Sequence, residues 1–382
     1  MTSHRKKILI LIDWFYPGYK AGGPIQSVLN LIRILKNDFD VHILTTDTDH
    51  GEEKPYADVT SDEWIFSEEL GINIFYARKA SLNKRRIRSQ IDFVDADYIY
   101  LNHLYSPLFV IYPLLLKSFG KIKAKVVVCP RGALFESAIS VKAFKKRPLL
   151  FLYNILKIQK YVLFHATNDR ESEAIKKYFP GSDIVIADNL PLINQAQFVS
   201  ILKRRGELKC VFISRIVPIK NLSYLLDLFR QLSCSVRFTI AGPAEDIQYW
   251  NSCKQQINEL PPNISVEYYG PVEKSNVLSV IQKNHLFILP TKGENFGHAI
   301  FEAFLSGRPV LISNQTPWRN LRQFNAGWDL PLEKPEEFIH VIQQMAETDQ
   351  SEFDTYAKSA WCFADEFIKK SLSQNNYLKL FS

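Results

Sequence analysis

Short apolar runs recur along the chain, and each is followed by a polar loop and a segment with apolar residues at helical spacing. Lys7–Ile12 is such a run, and in Pro24–Lys36 after it Ile25, Val28 and Leu29 fall on one helical face. A run that is apolar at every position is typical of a strand buried on both faces of a parallel sheet. The pattern therefore predicts successive strand–helix units.

Two series of these units follow one another and join near Asp188–Arg205. This alternation predicts two α/β domains, each with an open parallel sheet and right-handed crossovers, facing one another. Ligands of such sheets bind beyond the carboxyl ends of the strands, so residues that follow strands are the candidates for chemistry. The predicted strands are Val41–Thr46, Tyr98–Leu101, Lys125–Cys129 and Tyr161–Thr167 in the first series, and Lys209–Ser214, Arg237–Ala241, Ile264–Tyr269, His285–Pro290 and Pro309–Ser313 in the second.

Composition agrees with two globular domains. The 382 residues are 46% hydrophobic and 23% charged, which excludes a disordered or fibrous chain. The five cysteines are an odd set without a C-x-x-C pair, which favours a reducing cytoplasm over a disulfide framework or a zinc site. The apolar run Ile8–Ile12 is too short for a signal peptide, and the prolines within Leu104–Leu116 exclude a membrane span there.

The formal net charge of +7 is compatible with a phosphate-bearing ligand or an anionic lipid surface. Lys and Arg are spread along the chain, which counts against nucleic acid as a partner. Lys84–Arg88 and Lys142–Arg147, beside apolar runs such as Leu149–Leu152, suit anionic lipid headgroups or form an ordinary solvated surface.

Two loops carry groups that suit phosphates. Gly22-Gly23-Pro24 presents either a helix N-terminus to an anion or a plain tight turn. Arg215 and Lys220, in the loop after the first strand of the second series, supply a fork and a point charge for a diphosphate, or are surface charges. No G-x-G-x-x-G or G-x-x-x-x-G-K-[ST] is present, which counts against a dinucleotide enzyme or a P-loop NTPase.

A pair of glutamates brackets the start of a predicted helix. Glu294 lies in the loop after a strand, and Glu302 lies eight positions on, inside the helix that Gly297 opens. One carboxylate can meet a ligand at the helix mouth while the other reaches it from the first turns, and the N–H groups of Asn295–Gly297 can receive an anion. The alternative interpretation is that Glu294 and Glu302 are ordinary surface glutamates, which often occur in pairs.

Glu294…Glu302, with Pro290-Thr291 before it and Gly307-Arg308-Pro309-Val310 after it, resembles the nucleotide-sugar site of glycosyltransferase family 4. The resemblance extends from about residue 7 to 330 in the family's order, and as a set its motifs are far more specific than any one of them. The other segments that agree are Tyr16-Pro17…Gly22-Gly23, Pro130-Arg131-Gly132-Ala133-Leu134, His165-Ala166-Thr167…Glu171, Ser214-Arg215…Lys220-Asn221 and Gln315-Thr316-Pro317-Trp318.

The resemblance implies the GT-B architecture of two Rossmann-like domains. Residues 1–190 would bind the acceptor, residues 191–360 would bind the nucleotide sugar, and a C-terminal helix over 361–382 would pack back on the first domain. It implies a retaining, metal-independent hexosyltransferase without a cofactor, whose partners are a nucleoside-diphosphate sugar and a glycan or lipid-linked glycan acceptor in cell-surface polysaccharide or lipopolysaccharide synthesis. The expected location is the cytoplasm, with peripheral contact to the inner face of the membrane.

Residue roles follow from the same resemblance. Glu294 would hold sugar hydroxyls, and Arg215 and Lys220 would neutralise the diphosphate. Arg131 is the candidate on the acceptor side. The other donor-binding residues implied are Gly22 and Gly23 near the phosphates, Val272 beside the base, Asn295, Phe296 and Gly297 through main-chain N–H groups, and Glu302 on the ribose.

One position departs from the family pattern. Many members carry a histidine near the reacting sugar in the strand that corresponds to Tyr98–Asn102, but here the best register puts Asn102 there and His103 one residue on. On a strand, a shift of one residue turns a side chain to the opposite face. Either His103 lies on a turning chain end and acts as the catalytic histidine, or the enzyme manages without it.

Two D-x-D strings, Asp47-Thr48-Asp49 and Asp95-Ala96-Asp97, are interpreted as coincidence and not as metal ligands. Two other functions stay open beside the transferase. A sugar-nucleotide epimerase shares this architecture, and a non-catalytic sugar-binding relative would keep the fold.

Overall fold

The computed structural model describes residues 5–140, 143–189, 198–373 and 376–382. The chain forms two compact units. The first unit contains Met1–Leu190 and Gln374–Ser382, and the second contains Pro191–Ser373. Each unit is an α/β domain built on one sheet, as the alternating pattern predicts.

The sheet of the first unit has eight strands within the described residues, in the order β3-β4-β2-β1-β5-β6-β7-β8. All neighbours are parallel except β3, which pairs with β4 in antiparallel fashion. The strand order reverses between β1 and β5, the topological switch point of a doubly wound sheet. The strands are β1 Lys7–Leu11, β2 Asp40–Thr46, β3 Trp64–Ser67, β4 Ile72–Ala77, β5 Tyr98–Asn102, β6 Lys125–Cys129, β7 Val162–Ala166 and β8 Asp183–Ile186.

Helices cover both faces of this sheet. α1 and the C-terminal residues 377–381 share one hydrophobic core, while α2, α5 and α6 pack in a second core on the other face. The α-helices are α1 Gly23–Leu35, α2 Lys84–Val94, α3 Tyr112–Ser118, α4 Glu136–Ser140, α5 Ala143–Ile155 and α6 Asp169–Tyr178. Short 3₁₀ segments lie at Lys79–Ser81, Ile158–Lys160 and Tyr377–Phe381, and a π-helical turn at Pro107–Ile111.

The sheet of the second unit is parallel, in the order β11-β10-β9-β12-β13-β14. Its strand order reverses between β9 and β12. Its strands are β9 Glu207–Ile213, β10 Ser235–Ala241, β11 Ile264–Tyr268, β12 Leu286–Leu289, β13 Val310–Ser313 and β14 Gly327–Leu330. Its α-helices are α7 Leu222–Phe229, α8 Ile247–Asn258, α9 Lys274–Gln282, α10 His298–Leu305, α11 Pro335–Glu347 and α12 Gln350–Ser373, with 3₁₀ segments at Pro218–Lys220 and Leu321–Phe324.

The apolar runs form buried strands, as predicted. Ile8 to Leu11 are all fully buried, and so are Leu286, Phe287 and Ile288 in β12. The pattern missed β3 because Trp64–Ser67 is a half-exposed edge strand without a continuous apolar run. It also missed β4, β8 and β14, although β4 and β8 both contain short apolar runs.

The C-terminal piece that the sequence set at 361–382 is divided differently. Helix α12 stays in the second unit through Ser373, because Phe353, Ala357 and Ala364 continue the buried stripe of that core. The residues that belong to the first unit begin after it. There Phe381 packs against Phe39 and the rings of Tyr98 and Tyr100, and Lys125 Nζ donates to the carbonyl of Ser382 at 2.8 Å.

A buried hydrogen-bonded pair lies under this returning segment. His165 on β7 places Nε2 2.8 Å from the carbonyl oxygen of Ala187 and Nδ1 2.8 Å from the hydroxyl of Tyr100 on β5. Because a carbonyl only accepts, Nε2 carries the proton and Nδ1 accepts from Tyr100. Tyr377 stacks edge-on against the same imidazole and donates to the carbonyl of Asp188 at 2.7 Å.

Glu171, the last residue of the His165-Ala166-Thr167…Glu171 segment, is a structural brace. Its fully buried carboxylate accepts from the N–H and the hydroxyl of Thr167, at 2.8 and 2.6 Å, and from the N–H of Gly132, at 2.5 Å. Charge-assisted bonds of this kind are strong, and they fix the turn after β6 that carries Arg131.

Arg308 is fully buried and serves two helix ends. Its Nη1 lies 2.9, 3.0 and 2.8 Å from the carbonyl oxygens of Val199, Ser306 and Gly307, and its Nη2 lies 2.6 Å from that of Gln282. These carbonyls include the unpaired groups at the ends of α9 and α10, where a cation also meets the negative ends of the helix dipoles. Burial lowers the pKa of Arg308 to about 10.

Replacing this guanidinium should destabilise the second unit. We expect Arg308→Met to lower its free energy of unfolding by about 3 kcal/mol, because carbonyls that lose a charged donor stay buried. Urea unfolding followed by circular dichroism measures the change, and Arg237→Met, at an exposed position of β10, is the matched control. Wild-type stability in Arg308→Met would show that the buried contacts contribute nothing.

Acid should weaken the first unit through His165. Burial lowers its native pKa to about 3 from an ordinary 6.5, so between these values the unfolded chain binds a proton that the native chain does not. Stability therefore falls as the pH falls below 6.5, by up to about 1.4 kcal/mol per pH unit for this one group. We expect His165→Gln to flatten the pH dependence of the free energy of unfolding, and the exposed-site control His340→Gln to leave it unchanged. An unaltered slope in His165→Gln would contradict this assignment.

Candidate active site

The switch point of the second sheet gathers the charged loops that the sequence singled out. The loop after β9 carries Arg215 and Lys220, and the loop after β12 carries Glu294. Since β9 and β12 are neighbours from which the chain departs in opposite directions, their carboxyl ends open a crevice that side chains from both loops can enter.

Lys220 and Glu294 form an ion pair in this crevice. Lys220 Nζ contacts Glu294 Oε1, with the two side chains 11% and 16% exposed. Both charges are therefore mostly withdrawn from water, yet each keeps an accessible edge. An ammonium and a carboxylate held together in this way offer one group for an anion and one for hydroxyls.

The backbone locks the two loops in register. Ile219 O accepts from the N–H of Lys292 at 2.8 Å and from the hydroxyl of Thr291 at 3.1 Å. The N–H of Glu294 donates to the carbonyl of Gln315 at 3.0 Å. The Pro290-Thr291 segment thus positions the glutamate, because Thr291 joins its loop to the 3₁₀ turn that ends at Lys220.

Arg215 lies on the same loop but pairs elsewhere. Its Nη1 is 3.0 Å from Glu245 Oε2, and its side chain is 41% exposed. The turn is tight because a Cβ on Gly242 would lie 1.9 Å from the carbonyl oxygen of Ser214, so only glycine, here at φ +135°, fits beside it. Arg215 thus lies near the carboxyl end of β9 and pairs with Glu245, not with Glu294.

Helix α10 begins beside this pair. Gly297 caps it with φ 77° and supplies no side-chain cap, so the first N–H groups of the helix have no intrahelical partner. Asn295 and Phe296 precede it. Phe296 is buried against Trp318, whose indole N–H donates to the Phe296 carbonyl, and this contact fixes the approach of the chain to the helix. Trp318 is the last residue of the Gln315-Thr316-Pro317-Trp318 segment.

Glu302 projects from α10 and is only 5% exposed. Lys274, at the start of α9, brings its ammonium into contact with Glu302 Oε1. Burial lowers the pKa of Lys274 to about 8, so this ammonium is still charged at neutral pH. Val272 lies two residues before it, partly buried against the core. The structure thus brings the Val272 loop and Glu302 to one place, although Lys274 itself was not among the residues that the sequence indicated.

In the first unit, Gly22 has φ 68° and Gly23 opens α1, again without a side-chain cap. A Cβ on Gly22 would meet nothing within 4 Å, so open space lies beside this backbone. Asp49 holds the loop before it, since its Oδ2 accepts from the N–H groups of Tyr19 and Lys20 at 2.9 and 3.1 Å.

Three of the four D-x-D carboxylates have structural partners, and the fourth aspartate ends a helix. Asp47 accepts from the hydroxyl of Ser61 at 2.8 Å, Asp49 braces the glycine loop, Asp95 ends α2 in the left-handed conformation, and Asp97 accepts from the N–H of Lys7 at 2.7 Å. In the part of the chain that the structure describes, no group of three or more His, Cys, Asp or Glu side chains is arranged to hold a metal ion.

His103 lies directly after β5 with φ 88°, so the chain turns there instead of continuing as a strand. Its Nδ1 lies 3.3 Å from the N–H of Tyr105, and burial lowers its pKa to about 4, which keeps the imidazole neutral at physiological pH. Asn102 is buried and accepts from Arg131 Nε at 2.9 Å. The side chain of Asn102 is thus hydrogen-bonded to Arg131, whereas His103 lies on the turning chain end.

Arg131 is a brace in this structure. Besides Asn102, its guanidinium donates to Tyr100 Oη at 3.0 Å and to Asn189 Oδ1. Each of its three nitrogens thus has a protein partner, and these partners join the carboxyl ends of β5 and β6 to the residues that leave the unit. A role for Arg131 on the acceptor side stays a prediction.

Sequence reasoning missed Asp13, the residue at the carboxyl end of β1 in the first switch point. Its Oδ1 accepts from Ser106 Oγ at 2.7 Å, and its carbonyl accepts from the N–H of Thr46 at 3.2 Å. Burial raises the pKa of Asp13, and the Ser106 hydrogen bond and the charge of His50 oppose that rise. An isolated Asp after the strand Lys7–Leu11 was the available signal, since this position follows the first strand of a doubly wound sheet.

A family model matches most of the second unit. The family model described as Glycosyl transferases group 1 matches residues 194–359. A curated relative, an uncharacterized 41.2 kDa protein in the cps region of Klebsiella pneumoniae, is 22% identical over 226 residues. That match spans 57% of this chain and 60% of the length of the relative.

Solved structures extend the likeness to the whole chain. Anabaena HepE in complex with UDP and glucose is 16% identical with a TM-score of 0.70, covering 97% of this chain and 99% of that one. Sucrose-phosphate synthase from Thermosynechococcus elongatus is 14% identical with a TM-score of 0.72 and 99% coverage of both chains. WaaG, a glycosyltransferase involved in lipopolysaccharide biosynthesis, is 11% identical with a TM-score of 0.67, covering 94% and 95%. Residues 194–359 are therefore similar to the glycosyltransferase group 1 family, and the chain has the GT-B fold of the solved structures.

Proposed function

We propose that the protein is a retaining, metal-independent glycosyltransferase that moves a hexose from a nucleoside-diphosphate sugar to a glycan or lipid-linked glycan acceptor. The observation that carries this proposal is the Lys220–Glu294 ion pair at the switch point of the second sheet. Such a crevice is where ligands of doubly wound sheets bind. The pair supplies the two charges that a sugar diphosphate needs, a cation for phosphate and an anion for hydroxyls.

In the proposed reaction the bond between sugar C1 and the diphosphate oxygen breaks, and its electron pair leaves with the diphosphate. The acceptor oxygen forms the new bond to C1 on the same face, and its proton passes to the departing phosphate. Negative charge on the leaving group therefore grows in the transition state. Donors fixed near such charge are typically worth about 3–4 kcal/mol each, and Lys220, Arg215 and the N-terminus of α10 are the donors we assign to it.

Binding of a diphosphate would recruit groups that are paired at present. Lys220 would turn its ammonium to the phosphate and release Glu294 to the sugar hydroxyls. Arg215, which is 41% exposed, is free to exchange Glu245 for a phosphate oxygen. Glu302, held by Lys274 beside Val272, would accept from the ribose hydroxyls. The backbone of Asn295, Phe296 and Gly297 would meet the phosphate.

The relatives indicate the kind of product. HepE was solved with UDP and glucose and with UDP-glucose, WaaG acts in lipopolysaccharide biosynthesis, and the curated relative lies in a cps region. These names support a role in cell-surface polysaccharide synthesis. We further propose that the reaction takes place in the cytoplasm, in peripheral contact with the membrane. Gly22 and Gly23 on the donor phosphates and His103 at the reacting sugar stay predictions.

Loss of either charge in the second unit should abolish transfer. We expect Glu294→Gln and Arg215→Ala each to lower kcat/KM by at least about a hundredfold, the cost of removing one fixed charge from such a site. Thermal unfolding should change little in Arg215→Ala, because Arg215 is half exposed, and moderately in Glu294→Gln, because its amide oxygen can still accept from Lys220 but the counter-charge is lost. Transfer from a panel of nucleoside-diphosphate sugars, with release of the nucleoside diphosphate, gives the readout.

The exposed pair Arg230–Glu259 supplies matched controls, since Arg230→Ala and Glu259→Gln break an ion pair outside the crevice. Parental rates in both crevice variants would make the assignment wrong. Conversion of the donor without any acceptor would identify an epimerase instead, and absence of a melting shift with every nucleotide sugar would favour a non-catalytic relative.

Removal of metal ions should leave the enzyme active. Because Lys220, Arg215 and α10 are assigned the positive charge that a metal would otherwise supply, we expect EDTA to change the initial rate by less than about twofold. The chelator is added to enzyme already freed of divalent ions by gel filtration. A rate that falls with EDTA and returns with Mg²⁺ or Mn²⁺ would reject the metal-independent mechanism.

A further inference from the structure

Helix α5 has two apolar faces, although only one packs on the protein. Leu150 and Tyr153 are buried in the core of the first unit, and Leu149 is packed against it. On the opposite side Phe144 is 74% exposed, Phe151 69% and Ile155 60%. A helix that is apolar all round is ordinarily buried on all sides or in contact with lipid.

The exposed residues form a continuous stripe. At 100° per residue, positions 144, 148, 151 and 155 fall within about 60° of the helix circumference. Pro148 fills the gap between the two phenylalanines and is exposed as well. Lys145 and Arg147, both exposed, flank the stripe on either side, and Lys145 Nζ lies 5.6 Å from the centre of the Phe144 ring. Aromatic and aliphatic side chains with cations along their borders are typical of a helix that lies in a membrane interface.

The stretch of sequence that contains this helix is strongly basic. Residues 98–168 contain 11 Lys and Arg and a single acidic residue, Glu136, so this segment carries a net charge of +10. The whole chain carries +7, so all remaining residues together carry −3. Lysines and arginines are spread along the chain, but the acidic residues are nearly absent here. An anionic bilayer surface is complementary to such a segment.

The stripe is connected to the carboxyl end of β5. Tyr153 on α5 donates to the carbonyl of Leu104 at 3.1 Å, and Lys146 Nζ lies 5.2 Å from the centre of the Tyr105 ring. Tyr105 in turn donates its N–H to His103 Nδ1. The inner face of α5 therefore packs on the chain that carries His103, while its outer face is open.

Among the described residues, no helix is long and apolar enough to cross a bilayer. We propose that the outer face of α5, formed by Phe144, Pro148, Phe151 and Ile155 and bordered by Lys145 and Arg147, docks the protein on an anionic lipid bilayer. The side chains of Phe144, Phe151 and Ile155 insert among the acyl chains, and the cations contact the phosphates of the headgroups. This inference rests on the proposed function only in its consequence, which is that a lipid-linked acceptor is presented beside His103.

Co-sedimentation with vesicles tests the surface. We expect the full-length protein to bind vesicles of phosphatidylcholine with phosphatidylglycerol at low salt, and to bind less as salt rises or when phosphatidylcholine is the only lipid. The combined variant F144S/F151S/I155S should reduce the partition coefficient at least about tenfold, since three buried apolar side chains are lost. K145E/R147E should reduce binding at least about tenfold to the anionic vesicles, through repulsion by the headgroups.

Matched controls are Phe66→Ser, which removes a 59% exposed phenylalanine on β3 at the far edge of the same sheet, and Lys254→Glu on α8. Both should bind vesicles as the parent does. All exchanged residues are exposed, and circular dichroism melting verifies that the variants are folded. Failure of the parent to bind anionic vesicles, or parental binding by F144S/F151S/I155S, would overturn the proposal.

The outcome is separable from that of the proposed function. A melting shift with nucleoside-diphosphate sugars and transfer to a water-soluble acceptor should be the same in F144S/F151S/I155S and in the parent. Vesicle binding without any donor binding would support the docking surface and contradict the transferase. Donor binding and transfer without vesicle binding would do the reverse.

Discussion

The reversal of strand order between β9 and β12 is the constraint on which the candidate site depends. Two neighbouring parallel strands that send their chains in opposite directions leave a crevice at their carboxyl ends. The ion pair of Lys220 and Glu294 lies there. Without that topology the two residues, 74 positions apart, would have no reason to meet, because neither local propensity nor spacing brings them together.

The first unit also has polar side chains at its switch point, but these side chains stabilise the fold. At its switch point the polar groups are mostly committed to one another: Asp13 to Ser106, Arg131 to Asn102 and Tyr100, and His165 to Tyr100 and Ala187. These bonds hold the residues that leave the unit near 189 and those that return at 376. Such a network is costly to leave half satisfied, which explains why the groups with the most strongly shifted pKa values here brace the fold. In this unit a strongly shifted pKa therefore reflects the burial of the group and is not by itself a sign of a catalytic role.

Helix α5 shows how one element can serve two environments. Its inner face has the buried Leu and Tyr of an ordinary sheet-covering helix, whereas its outer face has exposed Phe and Ile beside cations. The burial of the inner face fixes the orientation of the outer one. The proposed lipid-docking face and the turn at His103 are thus held together by the same helix, so docking on a bilayer would be coupled to the presentation of an acceptor.

Most of the strand–helix alternation and the placement of the charged motifs after strands could be predicted from the sequence. These features are local, since an apolar run, a glycine at a turn or a residue after a strand is visible without knowledge of the packing. The side-chain contacts of the charged residues could not be predicted and became visible only in the fold. Arg215 pairs with Glu245, Lys274 pairs with Glu302, and Arg131 donates to three side chains. The tertiary structure also decided that α12 remains with the second unit through Ser373. These contacting residues are distant in sequence, and which of them meet depends on how the complete fold buries them and brings their segments together.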